Sequence, residues 1–236
     1  MTVSERRGSA RTAVVWDTLQ PILDAPPLDV LDIGGGTGGF AVRVAQLGHR
    51  VTVVDPSPDA LAALARRARE LDVDVEGRQG DLGALDVEPG AVDLVLCHGV
   101  LEVVDDPADA VATLRGVLRP GGRLSLLVAQ RNASVVARAM AGHFAQALAL
   151  LDDTAPSGRA GRRFTVAEAT ELLSRGGFRV DSVHGVRVFA DLVPGSLLDL
   201  EPGAPAALAE LEHAVAQRPD FLPLAAQLHL VATSNR

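Results

Sequence analysis

Residues 30–39 read Val-Leu-Asp-Ile-Gly-Gly-Gly-Thr-Gly-Gly, and the next apolar run, Arg50-Val-Thr-Val-Val-Asp55, ends on a carboxylate. An aliphatic run entering a glycine-dense turn reads as a buried strand feeding a helix, since glycine adopts left-handed backbone conformations without steric cost. The same glycines let main chain approach a ligand where a Cβ would collide. An acid about 20 residues further on, at the tip of the second strand, can accept two hydrogen bonds from a ribose diol. The pair predicts a nucleoside-containing cofactor.

Two templates fit the run. Gly34, Gly36 and Gly39 spell the dinucleotide pattern G-x-G-x-x-G, whereas Gly34, Gly36 and Gly38 spell the G-x-G-x-G of S-adenosylmethionine (SAM) enzymes. Asp32, two residues before the first glycine, favours the second template. A carboxylate there would crowd a pyrophosphate, which needs donors and an open helix N-terminus, but it suits a cofactor with a cationic amino-acid tail. A ligand-free turn is the remaining alternative.

The chain has 236 residues, 47% of them hydrophobic, and a formal net charge of −8 with pI near 5.2. This predicts one α/β domain over 1–236 with a helical and loop insertion at 131–177 covering the substrate side. No apolar stretch approaches the ~20 residues that cross a bilayer. The opening Met-Thr-Val-Ser-Glu-Arg-Arg-Gly is polar, so a signal peptide and a membrane partner are not expected. Cys97 is the single cysteine, which excludes an internal disulfide and a cysteine zinc site, suits a cytoplasmic location, and leaves no metal expected. All 22 basic residues are Arg, and Tyr is absent, a composition that reads as genomic bias.

Apolar runs alternate with helical periodicity, the pattern of a mostly parallel sheet covered on both faces. Strands are expected near 28–33, 50–55, 73–78, 91–97, 122–129, 178–189 and 224–232, and helices near 12–24, 38–48, 58–71, 107–118, 133–151, 165–175 and 204–217. Ser57 before Pro58 and Asp106 before Pro107 read as helix caps. Asp152 to Arg163 reads as a mobile loop and Pro194 to Pro205 as a break.

Val30 to Gly39, Asp55, Gly80-Asp81, the strand Val92 to His98 and the turn Leu118-Arg-Pro-Gly-Gly-Arg-Leu124 together resemble class I SAM-dependent methyltransferases in order and spacing. The Leu-Arg-Pro-Gly-Gly turn has no counterpart in dehydrogenases. The resemblance implies a Rossmann-like fold with a seven-stranded sheet whose final strand is reversed, paired in a hairpin with the run at 178–189. A narrower resemblance, over most of the chain, is to the bacterial family that esterifies 5-carboxymethoxyuridine at the tRNA wobble position. It is carried by Ala10-Arg-Thr-Ala-Val-Val-Trp16, Leu96-Cys-His-Gly-Val-Leu-Glu102 with Asp106-Pro107, Met140-Ala-Gly-His-Phe144, Gly185-Val-Arg-Val-Phe189, Leu208-Ala-Glu-Leu-Glu212 and Leu228-His-Leu-Val-Ala232. The chain departs from that family in lacking an aromatic-rich segment before Arg11, in having Ala129-Gln130 where the family has Tyr-Asn, and in lacking a lysine-rich stretch near 155.

The resemblance implies SAM as cofactor and S-adenosylhomocysteine as product. It implies that Arg11 reaches the methionine carboxylate, a contact suited to a bidentate guanidinium. Asp32 and Gly34, Gly35 and Gly36 would pass close to the cofactor, Asp55 and Pro56 would lie at the ribose, Gly80 and Asp81 at the adenine, and His98 beside the donor sulfur as the catalytic candidate. A carboxylate or phenolate acceptor needs no base, whereas a hydroxyl or amine would need His98 or Glu102. Asp105, Asp106 and Asp109 read as solvated loop or helix-start acids.

Charge is uneven along the chain. Residues 1–130 carry net −7, residues 131–190 net +3 and residues 191–236 net −4. The low pI argues against broad phosphate contact. Arg162 and Arg163 are candidates for local phosphate contact, and Arg131 and Arg187 for gripping one carboxylate. The expected partner is a modified tRNA or a small carboxylic or phenolic metabolite, with no obligate protein partner. An NAD-binding oxidoreductase and a catalytically silent SAM-binding module are the competing readings.

Overall fold

The computed structural model describes residues 3–151, 161–200 and 202–235, without the side chains of 3–12 and 199–200. The side chain of Arg11, and Asp152 to Ala160 of the expected loop, lie outside the described residues. The chain divides into two compact units: Pro21–Leu127 with Thr170–Ser182 and Leu230–Arg236, and Met1–Gln20 with Val128–Ala169 and Val183–His229.

Seven strands, β1 (Asp29–Ile33), β2 (Arg50–Asp55), β3 (Glu76–Gln79), β4 (Val92–His98), β5 (Leu118–Ala129), β6 (Phe178–Val186) and β7 (Gln227–Ser234), form one sheet in the order β3-β2-β1-β4-β5-β7-β6. The sheet is mixed and mostly parallel, with β7 the reversed strand. Strand β1 is flanked on both sides, Val30 pairing with Val51 of β2 and Leu94 of β4. That position explains its unbroken apolar run, with Val30, Leu31 and Ile33 all buried. The chain order reverses beside β1, creating a crevice at the carboxyl ends of β1 and β4 where open α/β sheets bind ligands.

The helices are α1 (Val3–Leu23), α2 (Ala41–Gln46), α3 (Pro58–Glu70), α4 (Pro107–Val117), α5 (Arg131–Met140), α6 (Phe144–Leu150), α7 (Val166–Arg175), α8 (Gly195–Leu200) and α9 (Ala204–Val215). Both expected caps form: Ser57 Oγ accepts from Ala60 N at 3.2 Å, and Asp106 Oδ1 from Ala108 N at 2.7 Å.

Four differences from the sequence reading have a local cause. The single helix expected over 133–151 is two helices, because Gly142 takes φ +77° and closes α5 with paired bonds, His143 N to Arg138 O and Gly142 N to Ala139 O. Strand β3 starts at Glu76 rather than 73, because Asp72 at φ 52° and the bond from Val73 N to Ala68 O carry the α3 cap further along the chain. The Arg-Pro-Gly-Gly stretch opens β5 as a bulge: Val92 pairs with Leu118, but Leu94 pairs with Arg123. Residues 195–200, expected as irregular, form α8.

Candidate active site

In the first unit, the carboxyl ends of β1 to β4 open onto a cavity of about 620 Å³. Gly34 follows β1, Asp55 and Pro56 end β2, Gly80 and Asp81 follow β3, and His98 and Gly99 close β4, all in its wall. The turn after β1 needs its glycines for separable reasons. Gly34 (φ +67°), Gly36 (φ +55°) and Gly38 (φ +77°) are left-handed. A Cβ on Gly35 would sit 2.5 Å from Asp32 Oδ2, and one on Gly34 would sit 2.7 Å from Val100 Cγ2. A side chain at Gly38 would strike Leu64 of α3. Thus Gly35 and Gly38 serve packing, while Gly34 brings bare backbone to the cavity.

Asp55 is buried, and the fold aims it. Gly36 N donates to Oδ2 and Ser57 N to Oδ1, each at 2.9 Å. A carboxylate offers about four acceptor positions, so two remain beyond these bonds. Asp81 Oδ1 accepts from Gly83 N (2.8 Å) and Ala84 N (3.0 Å), which fixes its carboxylate at the start of the short turn 82–84. Asp32 is 3% exposed and is not among the lining residues. Burial, reinforced by the Asp55 charge, pushes its carboxyl up to about 7.

His98 is half-buried, its ring edge-on to Phe40 at 5.1 Å, with Nε2 2.8 Å from Ser125 Oγ. Burial lowers its pKa to about 4, so the imidazole is neutral at pH 7. Ser125 and Phe40 were not legible as site residues; Ser125 reaches His98 because β5 lies beside β4 with Leu96 opposite Ser125, and Phe40 stands at the start of α2. Glu102 is buried and outside the lining. Burial, with Glu102 and Asp32 nearby, keeps the Cys97 thiol protonated.

Asp105, Asp106 and Asp109 also line the cavity. Reading them as helix-start acids captured the Asp106 cap and missed this second location. With Asp55 and Asp81 they give the wall five carboxylates, and no Arg stands among its described lining residues. Such a wall repels a pyrophosphate and favours a ligand with cationic groups. The bare backbone at Gly34, the aimed Asp55 and this acidic wall fit SAM, whose sulfonium and ammonium are positive.

The four arginines named as substrate contacts lie in the second unit. Arg131 is 6% exposed, and its Nη2 meets Glu168 Oε1 and Oε2 at 2.7 and 2.8 Å. Glu168 also closes a capping box with Thr165, accepting from its N at 2.8 Å while Glu168 N donates to Thr165 Oγ1. Burial opposes ionisation of Glu168, but the Thr165 bonds and Arg131 together hold its pKa below the usual range. Arg187 stands at φ +60° and pairs with Asp191 at 3.2 Å. The segment around it is held by Glu212, whose carboxylate accepts from the backbone N–H of Val188, Phe189 and Ala190 at 2.7–2.8 Å. The Gly185 to Phe189 and Leu208 to Glu212 stretches are therefore structural partners. Arg162 and Arg163 are half-buried beside Phe164, Arg163 donating to Gly161 O at 3.4 Å.

The fold is the Rossmann-like one of methyltransferases, and the comparisons support a SAM-dependent methyltransferase. Residues 31–126 match the family described as Methyltransferase domain. The chain is 29% identical over 241 residues to the tRNA 5-carboxymethoxyuridine methyltransferase of Escherichia coli (strain K12), covering 96% of this chain and 88% of the relative. It is 34% identical over 114 residues to the ubiquinone biosynthesis O-methyltransferase of Xanthomonas euvesicatoria pv. vesicatoria (strain 85-10), covering 48% of each. Among solved structures, a putative S-adenosylmethionine-dependent methyltransferase from Listeria monocytogenes superposes with TM-score 0.66 at 18% identity, covering 97% of this chain and 100% of the other. The [4+2]-cyclase SpnF superposes at 0.62 and 21% identity over 93% of this chain and 80% of its own. These two likenesses speak for the fold alone.

Proposed function

We propose that this chain methylates a carboxylate oxygen, that of a 5-carboxymethoxyuridine in tRNA, with SAM as donor. The observation that carries this reading is the extent of the similarity to the E. coli tRNA enzyme, which runs through nearly all of both chains. The ubiquinone-pathway relative matches only about half of each chain.

When bound, SAM supplies a methyl carbon already activated by its sulfonium. The residues then have to bind, orient and exclude water, and positioning of this kind is worth ~7–11 kcal/mol. Asp55 accepts from the ribose hydroxyls through the acceptor positions that Gly36 and Ser57 leave. Gly80 and Asp81 address the adenine, and Gly34 to Gly36 present backbone to the amino-acid tail. Asp32 lies beneath that turn as a nearby anion. His98 lines the mouth as a neutral imidazole. Its low pKa makes it a weak base at neutrality, which suits an acceptor that is already ionised. We assign Arg162 and Arg163 to RNA phosphate, and Arg131 and Arg187 to holding their own unit together. Among the described residues no helix is long and apolar enough to cross a membrane, and we place the reaction in the cytoplasm with the tRNA pool.

A second reading, methylation of a small phenolic or carboxylic metabolite, is favoured by the pI near 5.2. Turnover of labelled SAM on total tRNA from cells that make carboxymethoxyuridine, against phenolic and carboxylic metabolite extracts, separates the two. Label in tRNA at an ester released by mild base supports the first. Label confined to the extract, with tRNA inert even at low salt, replaces it with the second.

A further inference from the structure

Strand β5 carries a side-chain hydroxyl where its neighbours are aliphatic. It runs Leu124-Ser125-Leu126-Leu127-Val128 between β4 and β7, with Leu124, Ser125, Leu126 and Val128 all fully buried. Burying a hydroxyl in such surroundings costs free energy unless it is hydrogen-bonded, so the serine calls for a partner. The register supplies one. Leu96 lies opposite Ser125 and His98 opposite Leu127, and strand residues two apart share a face, so Ser125 and His98 stand on the same side of the sheet. There Ser125 Oγ lies 2.8 Å from His98 Nε2.

The two residues differ in what they reach. His98 closes β4 in the wall of the cofactor cavity, whereas Ser125 is fully buried and outside that lining, so an effect of Ser125 on the reaction passes through a neighbour. The ring is held from two directions, by Ser125 on β5 and by the edge-on Phe40 just before α2. The χ2 torsion of a histidine has two broad wells, and a half-turn between them exchanges Nε2 with Cε1 and Nδ1 with Cδ2. A hydrogen bond at Nε2 selects one well. It also selects a proton position, because a neutral imidazole carries a single N–H and the bond made at one nitrogen decides which of the two holds it. His98 is neutral at pH 7, so the Ser125 hydroxyl sets both where its nitrogens point and which of them can donate.

We propose that Ser125 is a positioning residue for methyl transfer: its hydroxyl holds the His98 imidazole in one orientation and one tautomer at the mouth of the cavity, so that the acceptor meets a fixed polar edge beside the donor methyl. The assignment rests on the placement of His98 at the mouth proposed above and goes beyond it, and it holds for either acceptor.

The test is a double-mutant cycle on the full-length protein, with turnover of saturating labelled SAM on the acceptor preparation that takes up label, tRNA or metabolite extract, and S-adenosylhomocysteine affinity measured beside it. Ser125→Ala should slow turnover about two- to tenfold, the range that one neutral hydrogen bond supplies, and leave cofactor affinity unmoved. His98→Phe, which keeps a ring without nitrogens, should slow it at least as much. Adding Ser125→Ala to His98→Phe should cost nothing further, because the hydroxyl has no imidazole left to place; losses that multiply would be packing effects and would overturn the proposal. So would a Ser125→Ala variant that loses turnover and cofactor affinity together. Long-range ¹H–¹⁵N spectra give a readout that needs no variant: wild-type His98 should show one neutral tautomer from about pH 6 to 8, and an average of the two in wild type sinks the assignment. In Ser125→Ala the two nitrogens should average. Wild-type turnover in Ser125→Ala beside a slowed His98→Phe overturns the role of Ser125 alone, whereas wild-type turnover in both removes His98 from the mouth as well. Label confined to the metabolite extract overturns the tRNA reading and leaves the cycle to decide on Ser125.

Discussion

Asp55 and Asp32 are two carboxylates in adjacent strands with opposite tasks, and the difference is local hydrogen bonding. Asp55 is met by two backbone N–H groups at 2.9 Å, whereas Asp32 is pushed up to about 7 by burial and by Asp55 itself. Asp55→Asn keeps the volume but turns an amide NH2 donor toward one of those N–H donors and removes the charge. It should weaken S-adenosylhomocysteine binding by roughly 2–3 kcal/mol in calorimetry; unchanged affinity would remove Asp55 from the ribose site. For Asp32 the unfolded pKa is 3.8 and the folded value about 7. Between those pH values the folded protein holds a proton that the unfolded chain has released, so stability falls as pH rises through the window. The upper bound is ~4 kcal/mol. Asp32→Asn should therefore be the more stable protein at pH 8 and no more stable at pH 4. A cationic cofactor tail near Asp32 favours its ionised form, so S-adenosylhomocysteine affinity should rise with pH toward 7 in wild type and stay flat in Asp32→Asn. Parallel pH curves for the two proteins would show that this carboxyl does not titrate there.

Elements show where local sequence speaks and where it stops. Pro58 after Ser57 and Pro107 after Asp106 announce α3 and α4, because a cap and a fixed φ act within four residues of chain. Strand β1 is legible for the same kind of reason: burial on both faces leaves an apolar run that nothing else explains. The break between α5 and α6 was also written locally, in Gly142, but an isolated glycine in a periodic stretch does not reveal whether it takes a left-handed φ. The partner of Arg131 was not legible, nor was the hold of Glu212 on the segment around Arg187. Arg131 and Glu168 are 37 positions apart, and the Glu212 carboxylate reaches back 22 to 24 positions to the 188–190 backbone. Pairings at such separations depend on which helix end packs where, so the carboxylate that meets Arg131 could not be read along the chain. Glu168→Ala tests this. It removes the capping box and leaves the nearly buried Arg131 without its carboxylate, and with Glu168 itself about one-third exposed the cost should be ~1–3 kcal/mol in urea unfolding. Because Glu168 titrates below its ordinary range, the wild-type advantage should be complete above the unfolded pKa and disappear as pH falls through the folded one. A wild-type advantage that persists undiminished at pH 3 would assign the loss to packing instead.

At the scale of the whole molecule the decision between acceptors comes down to which protonations the reaction needs. The described lining of the cofactor cavity carries five carboxylates, and its His98 is held neutral to about pH 4. A phenol or amine acceptor must lose a proton near neutrality, so its rate would climb with pH as the acceptor or an assisting base ionises. A uridine-linked carboxylate has lost its proton well below pH 6. With SAM saturating, so that Asp32 no longer limits cofactor capture, kcat/KM for the carboxylate acceptor should be level from about pH 6 to 9. His98→Asn, which keeps a polar group beside Ser125 and cannot act as a base, should then lower kcat by at most about tenfold and leave the profile level. Base catalysis would typically contribute 10²–10⁴-fold, so a loss of that size, together with a wild-type rate that rises tenfold per pH unit through neutrality, would show that the acceptor arrives protonated. Carboxylate methylation would then give way to the phenolic or amine reading.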